Sequence, residues 1–173
     1  MRFGDFLKAT VLLSAGSATL LATLAVIGVS REFDRVLVLA SAGWWPCAVL
    51  LGAWIGRRAE ASPPIARLLA TARSQTTLPE LRPGLTILNR LWPLLVYTLV
   101  FAGLGVVRPP AAAVAAGGAM IWALAWRRQE SAVAAIEERD GVRFYVDRTS
   151  PLQPIRLIRA PGFGGSFLPY DAR

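Results

Sequence analysis

The sequence predicts an all-α integral membrane protein with four transmembrane helices. Of its 173 residues, 54% are hydrophobic and only 17% are charged, and the apolar residues form four long runs without a charged residue. An ordinary globular domain carries about 25% charged residues. A helix needs roughly 20 mainly apolar residues to cross a bilayer, and an arginine in hydrocarbon costs several kcal/mol. Uncharged runs of this length are therefore typical of membrane spans.

Each run predicts one helix. The four predicted spans cover residues 9–30, 36–56, 88–107 and 109–126, and the third of them starts before its uncharged run and so includes Arg90 at its entry. The first run is longer than the apolar region of about 7–15 residues found in a signal peptide, so we interpret it as a retained helix. The fourth begins with Pro109 and Pro110, and proline is favoured in the first turn of a helix.

The connections between the runs predict how the helices are arranged. The connections before the second and fourth spans are very short, which predicts two tight helical hairpins. A transmembrane domain is expected over 1–126, with a cytoplasmic loop over 57–87. A basic cytoplasmic tail is expected over 127–173.

The distribution of positive charge predicts the orientation. The N-terminal segment holds two of the nineteen lysine and arginine residues, the second connection six and the tail eight, whereas the first and third connections together hold three. Positive residues concentrate in the cytoplasmic segments of membrane proteins, so both termini are predicted to be cytoplasmic. Lys8 is the only lysine and all other basic residues are arginines, a composition typical of a GC-rich bacterial genome. We therefore expect the protein in a bacterial inner membrane.

Small residues in the predicted helices indicate faces on which backbones can approach closely. Ala15, Thr19 and Thr23 recur at every fourth position, which places them on one face of the first helix. The residues predicted to lie in helix contacts are Ala15, Thr19, Thr23, Gly103, Gly105, Gly117 and Gly118. The contacting helix would belong to this chain or to another subunit.

The second span has an unusual centre, Trp44-Trp45-Pro46-Cys47. Proline removes a backbone hydrogen bond, which predicts a kink and leaves a carbonyl that an indole N–H could reach. We expect the tryptophans to fill the space that the kink opens. The alternative is that a lipid, quinone or pigment rests against Trp44 and Trp45. Apart from bound lipid, no cofactor is predicted.

The second connection is too long to be a mere linker. Ser62-Pro63-Pro64 has the composition of a helix start. Ile65, Leu68 and Leu69 then fall on one face. This pattern predicts a short amphipathic helix that lies on the membrane surface.

The tail carries a helix and two candidate strands. Asp140-Gly141 is expected to end a continuation of the fourth helix. Residues 142–147 alternate apolar and polar side chains, and residues 154–159 alternate less cleanly. The predicted ribbon of two strands is marginally stable alone, so it requires support from the membrane surface, the second connection or a partner.

Basic and aromatic residues of the loop and tail are predicted to contact anionic lipid headgroups or a partner protein. A basic residue near such headgroups gains about 1 kcal/mol. Arg90 is expected to extend its side chain to the headgroups, or alternatively to meet a partner's carboxylate. The predicted surface residues are Arg67, Arg73, Arg90, Phe144, Tyr145, Arg156, Arg159, Phe163, Phe167 and Tyr170.

The residue inventory restricts the function. The chain has no histidine and one cysteine, which excludes an imidazole base, a histidine metal ligand and an internal disulfide. We expect no catalytic residue, no metal site and no binding of nucleic acid. The predicted function is that of an accessory or assembly subunit of a membrane complex, in contact with lipids and with other subunits or with itself. The alternative is a subunit of a small homo-oligomeric transporter or channel, lined by Ser14, Ser17, Thr19 and Thr23.

Overall fold

The structure is a computed structural model and describes residues 1–32, 35–58, 60–74, 83–147 and 155–161, without the side chains of residues 29, 31, 32 and 37. The fold is mostly helical. Its elements are, in chain order, α1 (Phe3–Glu32), α2 (Arg35–Ile55), α3 (Pro63–Ala70), β1 (Arg73–Ser74), α4 (Pro83–Val107), α5 (Pro109–Trp126), α6 (Gln129–Asp140), β2 (Val142–Val146) and β3 (Leu157–Pro161).

In the described part of the chain, four helices are long and apolar enough to cross a membrane, as the predicted fold class requires, and this is compatible with a multi-pass membrane protein. These helical stretches are Phe3–Gly28, Val38–Ile55, Pro83–Val107 and Pro109–Asp140. Two of them begin before the predicted span. Helix α1 starts at Phe3 and α4 at Pro83, so each helix continues past the charged residue that bounds its uncharged run, Lys8 in α1 and Arg90 in α4.

Helix α5 lies at the centre of the bundle and packs against α1, α2 and α4. Gly28 of α1 contacts Pro109, whereas Leu21 lies with Ala115 and Ala116, so α1 and α5 run antiparallel. Helix α2 runs parallel to α5, because Trp45 contacts Ala113 and Gly52 contacts Ile121. Helices α1 and α2 follow each other in the chain, yet each makes its main contacts with α5.

A three-stranded sheet lies at one end of the bundle, in the order β1-β3-β2. Strands β2 and β3 are antiparallel, and β1 adds to β3 in parallel. The sequence predicted two strands, and the third comes from the second connection. The N-terminus extends the sheet beyond β2, since the Val146 N–H donates to the Met1 carbonyl at 3.0 Å and Arg2 forms a bridge with Tyr145. We call this the sheet end of the bundle.

The sheet end has its own hydrophobic core. It joins side chains of α1, α3, α6 and two strands: Phe3, Phe6, Leu7, Ile65, Val133, Phe144, Val146 and Leu157. The apolar face of α3 packs here, with Ile65 only 1% exposed, instead of lying free on a membrane surface. Ser62 precedes α3 as expected, but its backbone N–H donates to Gln129 Oε1 at 2.9 Å, which ties α3 to α6.

Candidate functional site

Helix α5 supplies the bundle with a narrow centre. Alanine and glycine occupy nearly all of its buried positions, which are Pro109, Ala112, Ala113, Ala115, Ala116, Gly117, Ala119 and Ala123. Side chains this small let the backbones of neighbouring helices approach closely. The α5 carbonyl oxygens are consequently within reach of side chains on α2 and α4.

Three aromatic side chains donate hydrogen bonds to successive carbonyls of α5. Trp45 Nε1 donates to the Ala113 oxygen at 2.9 Å, Trp44 Nε1 to the Val114 oxygen at 3.2 Å, and Tyr97 Oη to the Ala115 oxygen at 2.8 Å. The acceptors therefore belong to α5 and are not the carbonyl of α2 that Pro46 leaves without a donor. Both indole N–H groups are engaged within the chain, and the proposed role of Trp44 and Trp45 in binding a lipid, quinone or pigment remains a prediction.

Two glycines make these aromatic contacts possible. A Cβ atom at Gly117 would overlap Trp44, with its nearest neighbours Nε1, Cε2 and Cδ1 of the indole ring. A Cβ atom at Gly118 would lie 2.8 Å from Tyr97 Oη. Gly105 of α4 has a comparable contact, because its Cβ would lie 2.6 Å from Ala112 Cβ. These three of the predicted packing residues lie where helices of this chain meet.

The other predicted packing residues lie on the outside of the bundle. Gly103 is exposed, and a Cβ atom added there would meet no neighbouring atom within 4 Å, while Ala15, Thr19 and Thr23 are exposed on α1. Their exposure has a geometric cause. The buried face of α1 is a different one. It contains Leu7, Ser14 and Leu21, which follow one another at intervals of seven residues, and Ala18 and Ala25, which have the same spacing. That spacing is readable in the sequence, but the four-residue small stripe is the more conspicuous pattern.

The exposed stripe lines an open groove between α1 and α5, with a volume of about 590 Å³. We call it the α1/α5 groove. Its α1 wall contains Ala15, Ala18, Thr19, Ala22, Thr23, Val26 and Ile27, and its α5 wall contains Met120, Ala123 and Leu124. Among the described residues, the lining has no charged side chain, and the groove lies along the two candidate spans.

The hydroxyl groups of the groove are already hydrogen-bonded inside α1. Thr19 Oγ1 donates to the Ala15 carbonyl at 3.0 Å, and Thr23 Oγ1 donates to the Thr19 carbonyl at 2.8 Å. Bonds of this kind satisfy serine and threonine within a helix. The groove therefore presents an apolar surface, with small side chains and methyl groups from residues 15–23 of α1 and larger side chains from Val26, Ile27, Met120 and Leu124.

Arg90 lines a second cleft, which lies between α1, α4 and α5 at the sheet end. The side chain is half-buried and interacts electrostatically with Asp147 of the same chain. Asp147 directly follows strand β2, so the tail of this chain brings a carboxylate near Arg90. We call this cavity the Arg90 cleft.

The remaining predicted surface residues divide into three groups. Arg67, Arg73, Arg156 and Arg159 are exposed, as a contact with lipid or a partner requires. Phe144 and Tyr145 are only 3% and 8% exposed, because alternate side chains of β2 point to opposite faces of the sheet and both faces are covered. These two aromatics are therefore core residues and not surface contacts. Phe163, Phe167 and Tyr170 lie outside the described residues.

The described part of the chain contains no group of histidine, cysteine, aspartate and glutamate residues that could hold a metal ion. The molecule is a helical bundle with four candidate membrane spans and a small sheet at one end. In comparisons with protein families, with curated proteins and with solved structures, nothing matches this chain.

Proposed function

We propose that this chain is a non-catalytic accessory or assembly subunit of a larger membrane complex, and that the α1/α5 groove receives a transmembrane helix of another subunit. The observation that carries the proposal is the groove itself. Its small side chains allow the backbone of another helix to approach closely. Its hydroxyl groups are already hydrogen-bonded within α1, so none of them loses a partner when a helix binds. Such small-residue surfaces are typical of contacts between helices in a membrane.

The arrangement of the hydroxyl residues favours this function over a pore. Thr23 is nine residues from Ser14, and at about 3.6 residues per turn the two lie on opposite faces of α1. Ser14 is fully buried, whereas Thr23 is exposed. Ser17 faces a third direction, where Thr98 Oγ1 of α4 donates to its Oγ at 2.8 Å. These side chains are therefore poorly placed to line one path.

Arginine placement supports a location and an orientation for the proposed subunit. Exposed arginines at the ends of α2 and α5, among them Arg57, Arg58, Arg127 and Arg128, lie at the sheet end. We infer that the sheet end faces the cytoplasm, that both termini lie there and that the membrane is a bacterial inner membrane. Reporter domains fused to the two termini test the orientation, and reporters on opposite sides would contradict it.

Filling the groove tests the proposed function. Thr19→Leu places a larger side chain in the groove, and we expect it to reduce recovery of the partner subunit at least fivefold when the complex is extracted in mild detergent. Ala40→Leu is the matched control, because Ala40 is exposed on α2, away from the groove. Quantitative mass spectrometry of the purified complex measures both. Equal recovery with the two variants would contradict the assignment of the groove.

Site-directed cross-linking identifies the occupant. The single cysteine, Cys47, is exposed and can be replaced by alanine to give a cysteine-free background. In native membranes, a cysteine introduced at position 19 is expected to cross-link to a helix of another polypeptide, and one at position 40 is not. Cross-links between two differently tagged copies of this chain would identify self-association. A purely monomeric product at both positions would refute the proposal.

A further inference from the structure

The Arg90 cleft has the dimensions of a ligand site. Its volume is about 540 Å³, within the range of roughly 300–1,000 Å³ that ligand pockets occupy. It opens between helices and is lined mainly by apolar side chains. The lining residues with large side chains are Phe6, Leu91, Leu94, Tyr97, Trp122, Trp126 and Ile155.

The polar groups of the cleft are unevenly distributed. Thr10 and Tyr97 donate their hydroxyl protons to backbone carbonyls, of Phe6 at 2.9 Å and of Ala115 at 2.8 Å. Arg90 is the charged residue in the described lining. Its guanidinium lies within electrostatic range of the Asp147 carboxylate. A cation at the mouth of an apolar cleft also attracts an anionic headgroup.

The depth of these groups in the bundle gives the cleft a polar mouth and an apolar interior. At about 1.5 Å per residue, Arg90 lies roughly 25 Å from Val107 at the far end of α4, so it is near one boundary of a hydrocarbon core of about 30 Å. Tyr97 lies two turns deeper, about 10 Å from Arg90. Trp122 and Trp126 stack along the wall with ring centroids 6.0 Å apart, as is common at a membrane interface.

From this arrangement we propose that the Arg90 cleft binds a glycerophospholipid of the surrounding bilayer, with its phosphate at Arg90 and one acyl chain running toward Tyr97. A cation at the boundary complements the phosphate, and the apolar walls complement the chain. The site is separate from the α1/α5 groove, which lies on a different face of α1. Binding of lipid here is therefore independent of any partner helix.

A lipid titration tests the site. The full chain is purified in mild detergent, stripped of lipid and titrated with dioleoyl phosphatidylglycerol, and the apparent Tm is recorded. Wild type is expected to show a saturable rise in Tm. Dioleoylglycerol has the same chains without a phosphate and is expected to give a much smaller rise. Equal rises with the two lipids would overturn the role of the phosphate.

Three variants locate the effect. Arg90→Gln should raise the lipid concentration for half-maximal shift about fivefold, the change that roughly 1 kcal/mol for one basic residue produces. Asp147→Asn removes the competing carboxylate and should lower that concentration. Arg127→Gln removes an exposed arginine at the sheet end and should leave it unchanged.

The opposite directions of these effects keep the test decisive. A purely structural pairing of Arg90 with Asp147 would lower the Tm in both variants and leave the lipid response the same, which would overturn the proposal. Equal weakening by Arg90→Gln and Arg127→Gln would indicate non-specific lipid around the bundle and would also overturn it. If Arg90→Gln does not fold, Asp147→Asn decides alone, and an unchanged half-maximal concentration refutes the site.

Discussion

The contact between Trp44 and α5 makes Gly117 sensitive to the smallest possible enlargement. In Gly117→Ala, the new Cβ would lie closer than 3.0 Å to ring atoms of the indole. The ring cannot retreat without lengthening the hydrogen bond from Trp44 Nε1 to the Val114 oxygen, which measures 3.2 Å. The added methyl group must therefore be accommodated by a shift of α2 relative to α5.

Two opposing contributions determine how much Gly117→Ala changes the free energy of unfolding. Overpacking of this kind costs about 1–3 kcal/mol, whereas replacing glycine by alanine inside a helix contributes up to about 1 kcal/mol of stability. Gly103→Ala carries the second contribution alone, since its Cβ would meet no neighbouring atom within 4 Å. The difference in free energy of unfolding between the two variants is thus expected to be about 1–3 kcal/mol, with Gly117→Ala the less stable.

Unfolding by SDS in mixed micelles, followed by far-UV circular dichroism, measures this difference. A Trp44→Phe background provides a further control, because phenylalanine lacks the five-membered ring that the methyl group would strike. Gly117→Ala should cost less in that background, because the ring is smaller there and the hydrogen bond of Trp44, worth about 0.6 kcal/mol on average, is already absent from both chains that are compared. Equal stabilisation by Gly117→Ala and Gly103→Ala would refute the packing that we describe.

Two further substitutions probe the bundle and the sheet end. Leu21→Ala empties a fully buried position against α5 and should cost about 2–5 kcal/mol of unfolding free energy, whereas Leu20→Ala, at a position 49% exposed, should change it little; equal losses in the same SDS titration would contradict the buried face of α1. Phe144→Ala should destabilise the sheet end by about 3–5 kcal/mol, so hydrogen exchange of the Val146 amide should accelerate while the amides of α5 keep their protection. Unchanged exchange at Val146 would contradict the placement of Phe144 in the core.

The four spans could be predicted from the sequence because the length of an uncharged apolar run is a local property. Choosing the buried face of α1 is a different problem. Both faces carry small and apolar residues, and the packing partners of Leu21 and Ala25 lie some ninety residues away in α5. Amphipathic contrast, which identifies the buried face in a soluble helix, is missing when lipid surrounds the other face.

The sheet and the aromatic hydrogen bonds depend on contacts that local pattern does not contain. Strand β1 has two residues, too few for any alternation to be recognised. The acceptor of Trp45 is separated from it by 68 residues. Phe144 and Tyr145 follow strand periodicity, but only the three-dimensional packing of Phe3 and Phe6 against the sheet reveals that β2 is covered.

The pairing of Met1 and Arg2 with β2 bears on how the protein is made. Met1 and Arg2 pair with Val146 and Tyr145 of β2, so these contacts form only after all the intervening helices have been synthesised. Phe3 and Phe6 are likewise shielded from water only after strand β2 has packed against them. Because contacts so distant in sequence form slowly, insertion of the helices is expected to precede closure of the sheet, and a nascent chain stalled before Val142 would still expose these two aromatic rings.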